Sequence, residues 1–167
     1  RCSRCSAGLR PSTSIGSGAT STPSQIPTRP PVAEGRPEVG LLDTSVVVDL
    51  GAMPPHVLPP RVAISSLTLA ELAAGPHAAQ DPVERARRQD LVQRAEAAFE
   101  PIPFDAAAAR AYGRVYAAVL GTGRKARGAR AVDLLIAASA LANDLPLFTR
   151  NGRDMEGVRD LLTVVDV

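Results

Sequence analysis

From residue 39 onward, the apolar positions follow two rhythms. Short, nearly unbroken runs fall at Val39–Leu42, Arg61–Ser65, Pro101–Phe104, Leu145–Thr149 and Leu162–Val165. Such runs suit strands buried on both faces of a parallel sheet. Between them lie longer stretches whose apolar residues recur at helical spacing. They predict helices over Thr44–Leu50, from Thr68 to Ala74 with a stop at Gly75-Pro76, from Pro82 to about Phe99, from Asp105 to about Leu120, and over Ala131–Asn143. Asp81 before Pro82, and Asp105 before an Ala-rich run, have the chemistry of N-caps. Pro54, Pro55, Pro59 and Pro60 mark a loop, and Gly121–Arg130 a second, basic and glycine-rich one. Strands alternating with helices predict an α/β fold with a mostly parallel central sheet of about five strands, covered on both faces. Ligands of such sheets bind beyond the carboxyl ends of the strands, where Asp43 and Thr149 stand.

Residues 1–38 break the pattern. They hold 21 Ser, Thr, Pro or Gly and only four large aliphatics, too little to offset the entropy of ordering. The expectation is a disordered tail, 1–38, followed by one domain, 39–167. The first Met is Met53, so the tail is expected to belong to a longer reading frame or to an upstream stretch. The net charge of +2 also divides there. The tail carries five Arg against two acids, so the domain itself is slightly acidic and its overall charge does not argue for nucleic acid. Cys2 and Cys5 form a lone C-x-x-C with no second ligand pair, which reads as two reduced thiols rather than a zinc site. No apolar run approaches the ~18 residues of a membrane span, and no secretory signal opens the chain. The protein is expected in the cytoplasm and off the membrane.

Four acids then change the picture. Each has a plain structural explanation. Glu71 lies three residues after Thr68, the spacing of a capping box. Asp133 falls in the first turn of a helix, where the helix dipole favours an anion. Asp43 and Asp154 could each cap the segment that follows. Taken together, however, all four fall at strand ends or helix starts, which share one edge of a parallel sheet. Carboxylates gathered there repel one another, at a few kcal/mol per close pair for an effective dielectric near ~20. A divalent cation relieves that repulsion, and hard oxygen ligands suit Mg²⁺ or Mn²⁺ rather than zinc.

The residues around these acids carry a resemblance. Leu41-Leu42-Asp43-Thr44-Ser45, Ile64-Ser65 through Thr68 and Glu71-Leu72, Arg130-Ala131-Val132-Asp133-Leu134-Leu135-Ile136-Ala137-Ala138, and Thr149-Arg150-Asn151-Gly152-Arg153-Asp154 resemble, in order, the four acidic motifs of PIN domains. The likeness is greatest to the VapC toxins of toxin–antitoxin pairs, and it extends over about Val39–Val167. It implies a PIN-like three-layer α/β/α fold and a Mg²⁺- or Mn²⁺-dependent endoribonuclease. Asp43, Glu71 and Asp133 would bind the principal metal, with Asp154 completing the site. Ser45 or Thr149 would orient water or metal ligands through a hydroxyl. The resemblance also implies an RNA substrate, a cognate antitoxin that blocks the acidic site with a basic segment, and a homodimer. The sequence departs from the toxin pattern at Met155, where Phe is common. Asp49, a further acid in the first helix, reads as a solvated helix residue.

Competing motifs fail on single residues. A D-x-S-x-S metal-adhesion motif is broken by Val47, and a haloacid-dehalogenase pair by Ser45. Gly121-Thr122-Gly123-Arg124 lacks the ending of a P-loop. Tyr112 and Tyr116, at i,i+4, read as helix packing. Arg124, Lys125, Arg127 and Arg130 are the densest basic cluster of the domain, and they lead into Asp133, so they are the candidates for phosphate contact. The alternative function is a PIN-like module that binds RNA or a partner without cutting.

Overall fold

Two apolar runs that lie 106 residues apart become neighbours at the centre of the molecule. The computed structural model describes residues 37–123 and 130–167. In chain order they form β1 (Val39–Leu42), α1 (Thr44–Val48), β2 (Arg61–Ile64), α2 (Ser66–Ala78), α3 (Pro82–Ala98), α4 (Ala106–Gly121), α5 (Arg130–Ala142), β3 (Leu147–Thr149), a 3-10 segment (Gly152–Val158) and β4 (Val164–Asp166). The strands make one sheet in the order β2-β1-β3-β4, every pair parallel. In β1 and β3, Leu41, Leu42, Leu147, Phe148 and Thr149 are all buried, as apolar runs in a doubly covered sheet should be.

Side-chain alternation along the strands divides the core in two. Leu41 and Leu147 point to one face, where they join Val115 and Val119 of α4, Leu134 and Ile136 of α5, and Met155 and Val158. Leu42 and Phe148 point to the other, against Val46 and Val47 of α1, Leu72 of α2 and Val92 of α3. The result is the three-layer α/β/α arrangement. Met155 is buried in the first layer and fills that position as an apolar side chain.

Several boundaries differ from expectation. The sheet has four strands among the described residues, where about five were expected. Pro101–Phe104 contributes only one parallel bridge, Ser65 to Ile102. The Ile102 N–H donates to the Ile64 carbonyl at 2.9 Å and its carbonyl accepts from Ser66 N at 2.8 Å. Pro101 and Pro103 bring no N–H to either side, so the ladder stops at one residue. Helix α2 does not stop at Gly75-Pro76 but continues to Ala78. Its last turn is held from outside, because Arg88 of α3 donates to the Gly75 carbonyl at 3.0 Å and Arg85 to the Ala79 carbonyl at 3.0 Å. Helix α1 is shorter than expected and yields at Asp49 to a 3-10 turn, Leu50–Ala52. The expected caps do form. Asp81 accepts from Glu84 N, and Asp105 from Ala107 N and Ala108 N. The tail expectation for residues 1–38 falls, up to residue 36, outside the described residues.

Gly40 lets the Phe148 ring of the neighbouring strand β3, and Pro59, lie close against β1. A Cβ there would lie 2.4 and 2.6 Å from two ring carbons of Phe148 and 3.1 Å from Pro59. Gly40→Ala is expected to lower stability by about 1–3 kcal/mol through overpacking. Urea unfolding reads this directly, and a loss below about 0.5 kcal/mol would show that the Phe148 ring simply moves aside.

Candidate active site

Because the sheet is wholly parallel, the carboxyl ends of β1 and β3 face the same way. Asp43 follows β1 and is only 3 % exposed. It stands at the N-cap position of α1 yet makes no cap hydrogen bond with its side chain. Its Oδ2 instead accepts two hydroxyl donors, Ser45 Oγ at 2.8 Å and Thr149 Oγ1 at 2.8 Å. Those hydroxyls are themselves held. Asn151 N donates to Thr149 Oγ1 at 3.0 Å, and Arg150 N to Ser45 Oγ at 3.3 Å. The side chain of Asp43 is therefore fixed by its neighbours rather than spent on the helix.

Glu71 is likewise free of a capping duty. Ser65, not Thr68, is the N-cap of α2, and its Oγ accepts from Thr68 N at 3.0 Å. Glu71 lies six residues past that cap, so the capping-box explanation falls. Its Oε2 accepts instead from Thr44 Oγ1. Asp133 sits in the first turn of α5. Burial, reinforced by the negative charges of Asp43, Glu71 and Asp154, pushes its carboxyl up to about 6, and Arg130 acts in the opposite direction. Asp154, in the first turn of the 3-10 segment, takes a hydrogen-bonded ion pair from Arg130 at 2.6 Å.

The four predicted acids thus share one electrostatic neighbourhood, with Asp133 at its centre. Among the described residues, no three acid, His or Cys side chains converge as a metal site as they stand. The chemistry of the donor set, carboxylate oxygens with hydroxyl donors at Asp43 and Glu71, fits a hard divalent cation, which these four acids would hold. Two clefts border the acids. One, of about 430 Å³, has Thr44, Val48 and Glu71 on one wall and Arg87, Leu91 and Arg94 of α3 on the other. The second, of about 670 Å³, includes Arg150, Asn151 and Asp154.

Of the predicted phosphate-binding residues, Arg130 turns toward Asp154, while Arg124, Lys125 and Arg127 lie outside the described residues. Asp49 is paired with Arg150 rather than merely solvated. Tyr112 and Tyr116 meet with their rings tilted, centroids 5.9 Å apart, and pack on the core, as expected of helix packing. Thr44 was not anticipated. Its only signal was its place beside Asp43.

The raised carboxyl of Asp133 has a consequence for stability. An acid whose folded pKa lies above its unfolded value of 3.8 favours the fold below that value and loses this contribution as pH rises through about 6. Without divalent cations, the melting temperature should therefore decline from about pH 4 to pH 6 and somewhat beyond, relative to Asp133→Asn, in which this component is absent. Parallel curves for the two proteins would show that the acids do not burden Asp133.

The chain matches the family model of the PIN domain over residues 40–161. It is 36% identical over 118 residues to Ribonuclease VapC5 of Mycobacterium tuberculosis, an alignment covering 69% of this chain and 84% of that protein. It is 38% identical over 112 residues to Ribonuclease VapC8 of the same organism, covering 65% of this chain and 96% of that protein. A crystal structure of a VapBC family member, the toxin–antitoxin system VapBC-5 of Mycobacterium tuberculosis, is similar with a TM-score of 0.64 at 32% identity, over 78% of this chain and all of that one. With its three layers, its parallel sheet and its four acids in order, this chain belongs to the PIN domain family.

Proposed function

We propose that this protein is a metal-dependent endoribonuclease that hydrolyses RNA phosphodiester bonds, and that it is the toxin of a toxin–antitoxin pair. One observation carries the catalytic part. Burial first, and then the charges of Asp43, Glu71 and Asp154, oppose the ionisation of Asp133, with Arg130 acting the other way, and a bound cation would relieve this gathering of carboxylates. Asp43, Glu71 and Asp133 would hold Mg²⁺ or Mn²⁺, with Asp154 completing the site. Bound there, the cation would supply a water of lowered pKa and neutralise charge on the scissile phosphate.

The chain's own residues do the rest. Ser45 and Thr149 fix the carboxylate of Asp43, and Arg130 fixes that of Asp154. Arg124, Lys125 and Arg127 would draw the phosphate backbone toward an otherwise repulsive acidic edge. No side chain needs to form a covalent intermediate. The folded unit acting in this way is residues 39–167. The partners are the RNA substrate, a cognate antitoxin with a basic segment and a second copy of the chain, and the place of action is the cytoplasm.

The second reading, a PIN-like module that binds RNA or a partner without cutting, draws on the finding that no three acid, His or Cys side chains converge as a metal site among the described residues. Incubating the purified chain with total RNA separates the two. Cleavage that depends on added Mg²⁺ or Mn²⁺ and stops with a chelator is expected. Binding without cleavage at any cation concentration would favour the second reading.

A further inference from the structure

We infer that Thr44 is a positioning residue for the reaction, holding Glu71 among the four acids against the arginines of α3. The inference rests on the nuclease reading and deepens it.

Asp43, Thr44 and Ser45 are consecutive, yet their side chains serve three directions. Asp43 ends the extended backbone of β1, and α1 begins at Thr44. From there, each residue turns by ~100° about the helix axis. Ser45 returns to Asp43, while Thr44 reaches across 27 residues of sequence to Oε2 of Glu71 on α2. A threonine inside a helix often turns its hydroxyl onto a carbonyl of the preceding turn. At the first helical position there is no preceding turn, because residues 39–42 are strand. The Thr44 hydroxyl is therefore available to Glu71.

Glu71 needs such a partner. A glutamate carries three side-chain torsions and, when free, samples them widely. It lines a cleft whose far wall is α3, with Arg87, Arg88 and Arg94 on it. Arg87 and Arg94 pair within their own helix, with Glu84 and Asp90, while Arg88 is shared between Glu84 and the Gly75 carbonyl of α2. Exposed pairs of this kind are weak and exchange partners readily. A glutamate released from Thr44 would find cations across the cleft and leave the site one ligand short. A hydroxyl donating to a carboxylate is a charge-assisted bond, strong enough to decide between those positions.

The test uses the full chain with Thr44→Val, which keeps the shape and removes the hydroxyl, Thr44→Ala, which serves if valine prevents folding, and Thr44→Ser, which keeps the hydroxyl. Two readouts are taken: cleavage kinetics on RNA, and the rise in melting temperature with Mn²⁺ alone. Thr44→Val and Thr44→Ala should lower kcat about ten- to thirtyfold with KM changed less than about twofold, the pattern of a lost interaction that acts in the chemical step. They should also need several-fold more Mn²⁺ for half of the thermal shift. Thr44→Ser should restore both. Wild-type behaviour of Thr44→Val and Thr44→Ala in both readouts would overturn the inference. So would a Thr44→Ser variant as defective as Thr44→Val, because packing of the methyl group would then be the cause. If the wild type cleaves no RNA, the nuclease reading fails alone, and the Mn²⁺ shifts still decide whether Thr44 holds Glu71. A wild type that neither cleaves nor responds to Mn²⁺ would overturn both.

Discussion

Asp43→Asn is expected to lower RNA cleavage by at least about a thousandfold, some 4 kcal/mol of lost transition-state stabilisation, while the protein stays folded. The substitution keeps the shape of a side chain that is 3 % exposed, so no cavity opens. The amide nitrogen replaces one carboxylate oxygen. Ser45 and Thr149, which now donate to Oδ2, can rotate their hydroxyls to accept instead, or meet the remaining oxygen if the amide flips. What disappears is one negative charge from a crowded site. Without cations the variant should therefore be no less stable than the wild type, and the decline of stability attributed to Asp133 should shift to lower pH, since Asp43 is the first of the charges raising it. With cations the order should reverse, because the wild type gains a ligand-dependent rise in melting temperature that the variant largely lacks. Cleavage assays, with melting curves at two cation concentrations and across the pH range from about 4 to 7, cover all four statements. Full activity in Asp43→Asn would remove Asp43 from the chemistry. Loss of activity together with loss of the fold would show only that Asp43 is structural.

What local sequence decides, it decided well. The apolar run Val39–Leu42 ends at Asp43 because a polar, buried acid closes a buried strand. Asp81-Pro82 and Asp105 open their helices because cap and first-turn chemistry need only three or four residues. Two of the misplaced boundaries have identifiable causes, one distant and one local. Helix α2 runs on past Pro76 to Ala78, and Arg88, twelve residues further on, takes the Gly75 carbonyl, one of the terminal carbonyls that the end of a helix leaves without a partner. The expected strand at Pro101–Phe104 shrinks to one bridge because prolines stand on both sides of Ile102 and the Phe104 N–H goes to the Ser66 hydroxyl. At the site, the acids were legible as an ordered set of motifs, and Ser45 and Thr149 as hydroxyls that orient water or ligands, but which side chain meets which acid was not. Thr44 meets Glu71 across 27 residues, Arg130 meets Asp154 across 24, and Thr149 meets Asp43 across 106. No periodicity encodes such pairings, since they arise only when α1, α2, α5 and β3 are brought to one edge of the sheet.

Expression of the full chain in a bacterial host is expected to arrest growth, and Asp43→Asn is expected to abolish that arrest. A nuclease acting on cellular RNA harms its host in proportion to its catalysis, so the variant separates cleavage from the burden of making a protein. Co-expression of a small antitoxin with a basic segment should restore growth and yield a complex with the wild type. The chemistry of the acidic edge sets the form of that complex. A cation-free site in which Asp43, Glu71 and Asp154 all weigh on Asp133 is a strong attractor for a positively charged side chain. The adjoining cleft adds apolar surface, including Val48, which is 54% exposed. The complex should therefore combine an apolar contact with an electrostatic one. Its formation should slow as salt rises, because steering between opposite charges is screened beyond about 8 Å at physiological ionic strength. Asp43→Asn and Glu71→Gln should each weaken it, Glu71→Gln more at low salt than at high. Growth measured after induction, with the soluble yield of each variant as control, reads the toxic effect, and affinity against salt reads the partner. Undisturbed growth with abundant, folded wild-type protein would count against the toxin role and leave the nuclease untouched. Arrest by Asp43→Asn as severe as by the wild type would mean that growth stops for a reason other than RNA cleavage.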